Sequence, residues 1–192
     1  MSPSPPKADH SWSGESTSLS HWLDMFSSQA RSNADGLALV SGSRSISYRD
    51  LDQRANAILH LLRNAGVGRG QYVGAGFHRS DDLIAALIAI LKSGAAYIPL
   101  DPAYPAARIA QMIASADLKN VVTTAALAGC FPGVRAILTD DAAAPAEASV
   151  ETSIPSGDPV YAIFTSGSTG QPKAASVFHR GFANLLDWYA TA

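Results

Sequence analysis

The stretch Thr165-Ser166-Gly167-Ser168-Thr169-Gly170-Gln171-Pro172-Lys173 places hydroxyls, glycines and one lysine in a single short segment. Glycines let backbone N–H groups approach an anion with no Cβ in the way; Ser and Thr add hydroxyl donors, and Lys adds a mobile positive charge. Hydrogen bonds to a charged group contribute roughly 1.5 to 3 kcal/mol each, so a few of them hold a polyphosphate. The segment follows Val160-Tyr161-Ala162-Ile163-Phe164, an apolar run of β-type residues that reads as a buried strand. Ligands of open α/β sheets sit at the ends of such strands. Composition alone would also describe a flexible Ser/Gly connector, so the order of residues decides. A Walker A loop needs Gly, four residues, then Gly-Lys-Ser/Thr; here Lys173 follows Pro172 and precedes Ala174, which excludes that class.

Working outward, the chain alternates helical and strand patterns, the signature of parallel β-α-β units with helices covering a sheet. Leu19 to Ala30 reads as a helix, Leu37 to Ser41 and Arg44 to Ser47 as a strand pair, and Tyr48 to Asn64 as an amphipathic helix. Ser47 and Asp50 fit a helix N-terminal cap. After a turn at Gly66 to Gly70, Gln71 to Phe77 reads as a strand and Asp81 to Lys92 as a core helix, its nine-residue apolar run too short to span a bilayer. Gly94 suits the end of that helix, Tyr97 to Leu100 a short strand, and Pro99, Pro102 and Pro105 a rigid exit in which Asp101 takes a turn position. Pro105 to Ser115 reads as a helix, with strands at Asn120 to Thr124 and Val134 to Thr139. Asp140 to Pro159 has no periodicity and reads as a surface connector. Beyond the quoted stretch come a strand at Ala175 to Phe178 and a helix through Asn184, Leu185, Leu186 and Trp188. That helix meets the end of the chain at Ala192 without a cap, which points to truncation.

Length and charge narrow the function classes. A chain of 192 residues with net charge −2 carries no basic footprint for nucleic acid. The single cysteine, Cys130, forms no intrachain disulfide and fits a reducing compartment as a small core hydrophobe. Met1 to Ser18 is rich in Ser and Pro and lacks an apolar signal core, so the expectation is a disordered lead-in, no membrane anchor and a cytoplasmic location.

The order Thr-Ser-Gly-Ser-Thr-Gly-x-Pro-Lys resembles the phosphate-binding signature of the adenylate-forming enzymes, and within them the adenylation domains of nonribosomal peptide synthetases. Ile46-Ser47-Tyr48-Arg49-Asp50-Leu51 is similar to the first core motif of that family. Leu91-Lys92-Ser93-Gly94-Ala95-Ala96-Tyr97-Ile98-Pro99-Leu100-Asp101-Pro102 is similar to the second, in the same order along the chain. The resemblance implies an α/β fold of parallel-sheet β-α-β layers, with residues 19–192 as the truncated N-terminal portion of one adenylation domain.

It also implies a reaction in which a carboxylate attacks the α-phosphate of ATP, with Mg²⁺, releasing pyrophosphate. The acyl-adenylate then passes to the phosphopantetheine thiol of a carrier protein, with a small activator protein as a further partner. Thr165, Ser166, Gly167, Ser168, Thr169, Gly170 and Lys173 would hold the outgoing phosphates, and His179 is a substrate-side candidate. No metal ligand and no catalytic residue is assigned within the chain, because the resemblance places the substrate pocket, adenine loop and catalytic lysine beyond it; alone it is expected to be inactive. Ala174 stands where many members have Gly, so a left-handed backbone there would be strained by the added Cβ. Two alternatives remain: a nonenzymatic or split partner supplying half a nucleotide site, and a portion of an acyl-CoA or aryl-acid ligase. Asp101-Pro102-Ala103-Tyr104-Pro105 resembles the amino-acid-activating branch more closely.

Overall fold

The computed structural model describes residues 21–143, 157–165 and 173–191. The expected lead-in at Met1 to Ser18 and residues 144–156 of the expected connector lie outside them. Helix α1 (His21–Ser32) precedes an antiparallel hairpin of β1 (Leu37–Ser41) and β2 (Arg44–Ser47). Gly42, at φ 62°, takes the left-handed position in its turn. Helix α2 (Tyr48–Asn64) then starts on a cap that the sequence announces. Ser47 Oγ accepts the Asp50 N–H at 3.1 Å and donates to the Asp50 carboxylate at 2.7 Å.

The main sheet is built from β3 (Tyr72–Gly76), β4 (Ala96–Pro99), β5 (Asn120–Thr123), β6 (Arg135–Leu138), β7 (Pro159–Thr165) and β8 (Lys173–Phe178). Between them run α3 (Asp81–Lys92) and α4 (Ala106–Ser115), and α5 (His179–Thr191) follows β8. The strand order is β6-β5-β3-β4-β7-β8. The first five strands are mutually parallel, as the alternating pattern requires, while β8 returns antiparallel beside β7. The sheet is therefore mostly parallel rather than wholly so: β8 follows β7 after seven residues, and a parallel return needs a crossover of about a dozen.

Both faces are covered. Val122 of β5 joins a core with Val73, Ala75, Ile58, Leu62 and Ala89, which lies under α2 and α3. Its neighbour Val121 points the other way into a core with Ile98, Ile109, Met112 and Ala162, under α4. Consecutive residues of a strand alternate faces, so one pair of valines feeds both layers. At 25 cal/mol per Å², burying a Val side chain contributes about 1.5 kcal/mol or more. On the α4 side the sheet is crowded: a Cβ on Gly76 would lie 2.5 Å from the buried Phe131 ring.

The connection leaving β3 passes through α3 on one face, and the connection leaving β4 passes through α4 on the other. Adjacent strands whose exits part to opposite faces open a crevice at their carboxyl ends, the usual place for a ligand in such sheets. No helix among the described residues is long and apolar enough to cross a membrane.

A buried cation ties the helices of one layer together. Lys92, 4% exposed at the end of α3, places Nζ 2.5 Å from Asp52 Oδ1 and 2.7 Å from Asn56 Oδ1 of α2. The same ammonium lies 5.7 Å from the ring centroid of Phe26 in α1.

Candidate functional site

Strand β7 runs parallel to β4, so its last residue, Thr165, stands at the carboxyl edge of the sheet, next to the exit of β4. Because β8 returns antiparallel, its first residue, Lys173, is the register partner of Thr165. Paired residues of an antiparallel ladder have Cα atoms about 5 Å apart, so both ends of the intervening segment are fixed side by side on one rim. Ser166, Gly167, Ser168, Thr169 and Gly170 belong to that segment, residues 166–172, which lies outside the described residues. The described chain thus brings Thr165 and the backbone of Lys173 together.

Ala174 carries none of the expected strain. It is an ordinary ladder residue opposite Phe164, and the one non-glycine residue with positive φ among the described residues is Asp117, at 49°. An alanine fits there because the ladder already holds the backbone extended.

His179 stands at the other end of the same ladder. Its neighbour Phe178 pairs with Pro159, the first residue of β7, and the His179 N–H donates to the Asp158 carbonyl at 3.0 Å. Along a seven-residue strand that is roughly 20 Å from Thr165. The ladder therefore does not bring His179 to Thr165 or to the backbone of Lys173. The imidazole is 1% exposed, and its Nδ1 has no hydrogen-bond partner among the described residues. Burial pushes its pKa below the usual histidine value, opposed in part by the nearby Asp158 carboxylate. That carboxylate is gripped by Arg69, with Nε at 2.5 Å from one oxygen and Nη2 at 3.3 Å from the other.

Other groups gather at the carboxyl edge, and of them only Asp101 was expected where it stands, at a turn. Past β4, the Asp101 carboxylate accepts the Ala103 N–H at 2.9 Å, and the Tyr104 N–H reaches the Asp101 carbonyl at 3.0 Å, forming a tight turn. Arg108, in the first turn of α4, lays its guanidinium 4.5 Å from the Tyr104 ring centroid. The Thr123 hydroxyl donates to the Gly76 carbonyl at 2.6 Å, tying the ends of β5 and β3. The spacing of Tyr104 and Arg108, four apart across Pro105, is a pattern that could have flagged that pair. His78, just past β3, is exposed at the same rim, and Cys130 is half-buried against the α4 layer.

A separate cleft of about 360 Å³ opens between β2 and the N-terminal ends of α2 and α3. Four of its five charges are spent on each other, Arg44 pairing with Asp81 at 2.5 Å and Arg54 with Asp82 at 2.9 Å, and the fifth, Asp50, accepts the Ser47 hydroxyl of the helix cap.

The chain is similar to known proteins throughout this layout. Tyrocidine synthase 2 of Brevibacillus parabrevis is 38% identical over 167 residues, covering 85% of this chain and 5% of its own length. The chain spans about 3% of the length of the first curated relatives it matches. The N-terminal subdomain of Klebsiella oxytoca NpsA matches with a TM-score of 0.75 at 26% identity, over 84% of this chain and 43% of that one. The nonribosomal peptide synthetase FmoA3 in its AMPPNP-bound form matches with a TM-score of 0.78 at 32% identity, over 88% of this chain and 18% of its own. It has also been solved in an α-methyl-L-serine-AMP bound form. The model of the family described as AMP-binding enzyme matches residues 26–192. With the family model matching residues 26–192 and these relatives alongside it, this chain belongs to the AMP-binding enzyme family, among relatives that are nonribosomal peptide synthetases.

Proposed function

We propose that this chain supplies the triphosphate-facing element of an adenylation domain that activates an amino acid with ATP. The observation that carries the reading is the register pair Thr165 and Lys173, which anchors the Ser/Thr/Gly segment by both ends at the carboxyl edge of the sheet. The donor set fits a polyphosphate: hydroxyls, backbone N–H groups that glycine leaves accessible, and one lysine. In this reading a carboxylate oxygen bonds to the α-phosphorus of ATP, the α–β anhydride bond breaks, and pyrophosphate leaves. Residues 165–170 and Lys173 hold the departing phosphates and take up the charge that develops on them, with Mg²⁺ arriving on the nucleotide. The aminoacyl-adenylate is then consumed by a carrier-protein thiol. That FmoA3 binds AMPPNP and an aminoacyl-adenylate supports the amino-acid branch over acyl-CoA chemistry. The activity belongs to a domain longer than this chain, which spans 43% of the NpsA subdomain.

The test is substrate-dependent exchange of labelled pyrophosphate into ATP. The chain is inserted in place of the matched segment of tyrocidine synthase 2. In that chimera, Lys173→Ala should lower exchange about 10- to 100-fold, the equivalent of one charged hydrogen bond. A Gly167→Val, Gly170→Val double change should lower it further by crowding the phosphate. Unchanged rates in both would remove the segment from the mechanism. The 192-residue chain alone should support no exchange.

A further inference from the structure

One side-chain hydrogen bond crosses the sheet from strand to distant strand. The Tyr72 hydroxyl, on β3, shares a hydrogen bond of 2.6 Å with Ser176 Oγ, on β8, 104 positions away. Strands β4 and β7 lie between them. The Tyr72 ring packs against the α4 layer, and so does Ala162, the register partner of Ser176. Ala96, the register partner of Tyr72 on β4, is an alanine as well, and both alanines are 1% exposed. Register partners share a face of the sheet, and small side chains at these two positions leave room for the ring to lie over the intervening strands.

Little else fixes the register of β8. Register is set firmly where a strand buries one face, and weakly where it does not. None of Ala174, Ala175, Ser176, Val177 and Phe178 is buried: the two alanines and Phe178 are exposed, the other two half-buried. Among the described residues β8 is the last strand of the sheet, so a single ladder holds it. The seven residues between β7 and β8 also exceed the two-residue turns that dictate register. Ser176 is the only polar side chain from Ala174 to Phe178. In a register one residue off, Ala175 or Val177 would take its place, neither can bond to Tyr72, and the tyrosine hydroxyl would lose its partner. The same slip would separate Lys173 from Thr165 and turn every residue of β8 to the opposite face.

We infer that Tyr72 is a positioning residue: its hydroxyl selects the register of β8 and thereby sets the backbone of Lys173 beside Thr165, where the Ser/Thr/Gly segment is anchored. The inference rests on the proposed role of that segment in holding phosphate. Tyr72 acts through Ser176 and does not itself meet the nucleotide.

Paired cysteines read the register directly in the 192-residue chain, with Cys130→Ser to remove the native thiol. Ile163 and Ala175 are register partners and both exposed, so Ile163→Cys with Ala175→Cys should form a disulfide in a glutathione buffer. Ile163→Cys with Ala174→Cys, one position off, should form little. Tyr72→Phe removes only the hydroxyl and should shift the ratio of the two yields about fivefold toward the second pair, the worth of one hydrogen bond. An unchanged ratio overturns the inference. In the tyrocidine synthase chimera, Tyr72→Phe and Ser176→Ala should each lower pyrophosphate exchange about fivefold, and the double change no further than either alone. Ser176→Thr, which keeps the hydroxyl, should keep the rate. Losses that multiply, or a lower melting temperature with exchange intact, overturn the inference too. A full rate with Tyr72→Phe beside a reduced one with Lys173→Ala discards Tyr72 and leaves the phosphate reading standing. A full rate with Lys173→Ala discards that reading, and with it the positioning role, whatever the cysteine ratio.

Discussion

Gly76 has no room for a side chain. The Phe131 ring lies 2.5 Å from where its Cβ would stand, and both residues are buried in the α4 layer at the end of β3. Gly76→Val should therefore destabilise the chain by about 1–3 kcal/mol through overpacking, read as a lower urea midpoint with unchanged slope. His179 offers a second test. Its folded pKa is lowered by burial, so the native state holds the neutral imidazole while the unfolded chain takes up a proton near the ordinary value of about 6.5. The stability tied to this residue is thus full above about pH 6.5 and lost as pH falls from there through the folded pKa. His179→Gln should flatten the decline of melting temperature with acid in that window. The two residues also differ in legibility. A histidine after a strand and before a helix was visible as a junction, but its distance from Thr165 depends on β8 running antiparallel, which local sequence does not encode.

At the level of elements, α2 and α3 were readable to the residue because their ends carry side-chain signals. Ser47 caps the first, and the second starts on Ser80, whose Oγ accepts the Leu83 N–H at 3.2 Å, and ends before Gly94, at φ 81°. What holds the two helices together was not readable. Lys92 and Asp52 are 40 positions apart, and a lysine at a helix end looks like a solvated one. Removing one member of a buried pair leaves the other without its counter-charge, so Asp52→Ala should destabilise by about 3 kcal/mol. Lys92→Met should be far milder, since it removes the charge and keeps the volume; a pair of chemical-denaturation curves distinguishes the outcomes. The strand boundaries shifted by one or two residues where flanking apolar residues such as Phe77 and Val134 pack beyond the ends of the strands.

For the whole molecule, alternation of strand and helix patterns gave the layered α/β sheet, and the motif order gave the family. Strand order stayed hidden, because neighbours such as β3 and β5, or β4 and β7, are brought together by crossovers of dozens of residues. The clasp of Arg69 on Asp158, 89 positions apart, was hidden for the same reason. That clasp sits with His179 on the rim of the β7–β8 ladder opposite Thr165 and Lys173. The two rims are insulated from one another by the length of a strand, so durability and chemistry can be altered separately. Arg69→Ala should loosen the entry to β7 and lower the melting temperature of the tyrocidine synthase chimera, while its affinity for ATP stays where it was. A drift in affinity would mean that the strand transmits what happens at one rim to the other. If it holds still, the amino rim is the place where sequence can wander, or be improved by design, without disturbing the rim of Thr165 and Lys173 where we propose that phosphate is held.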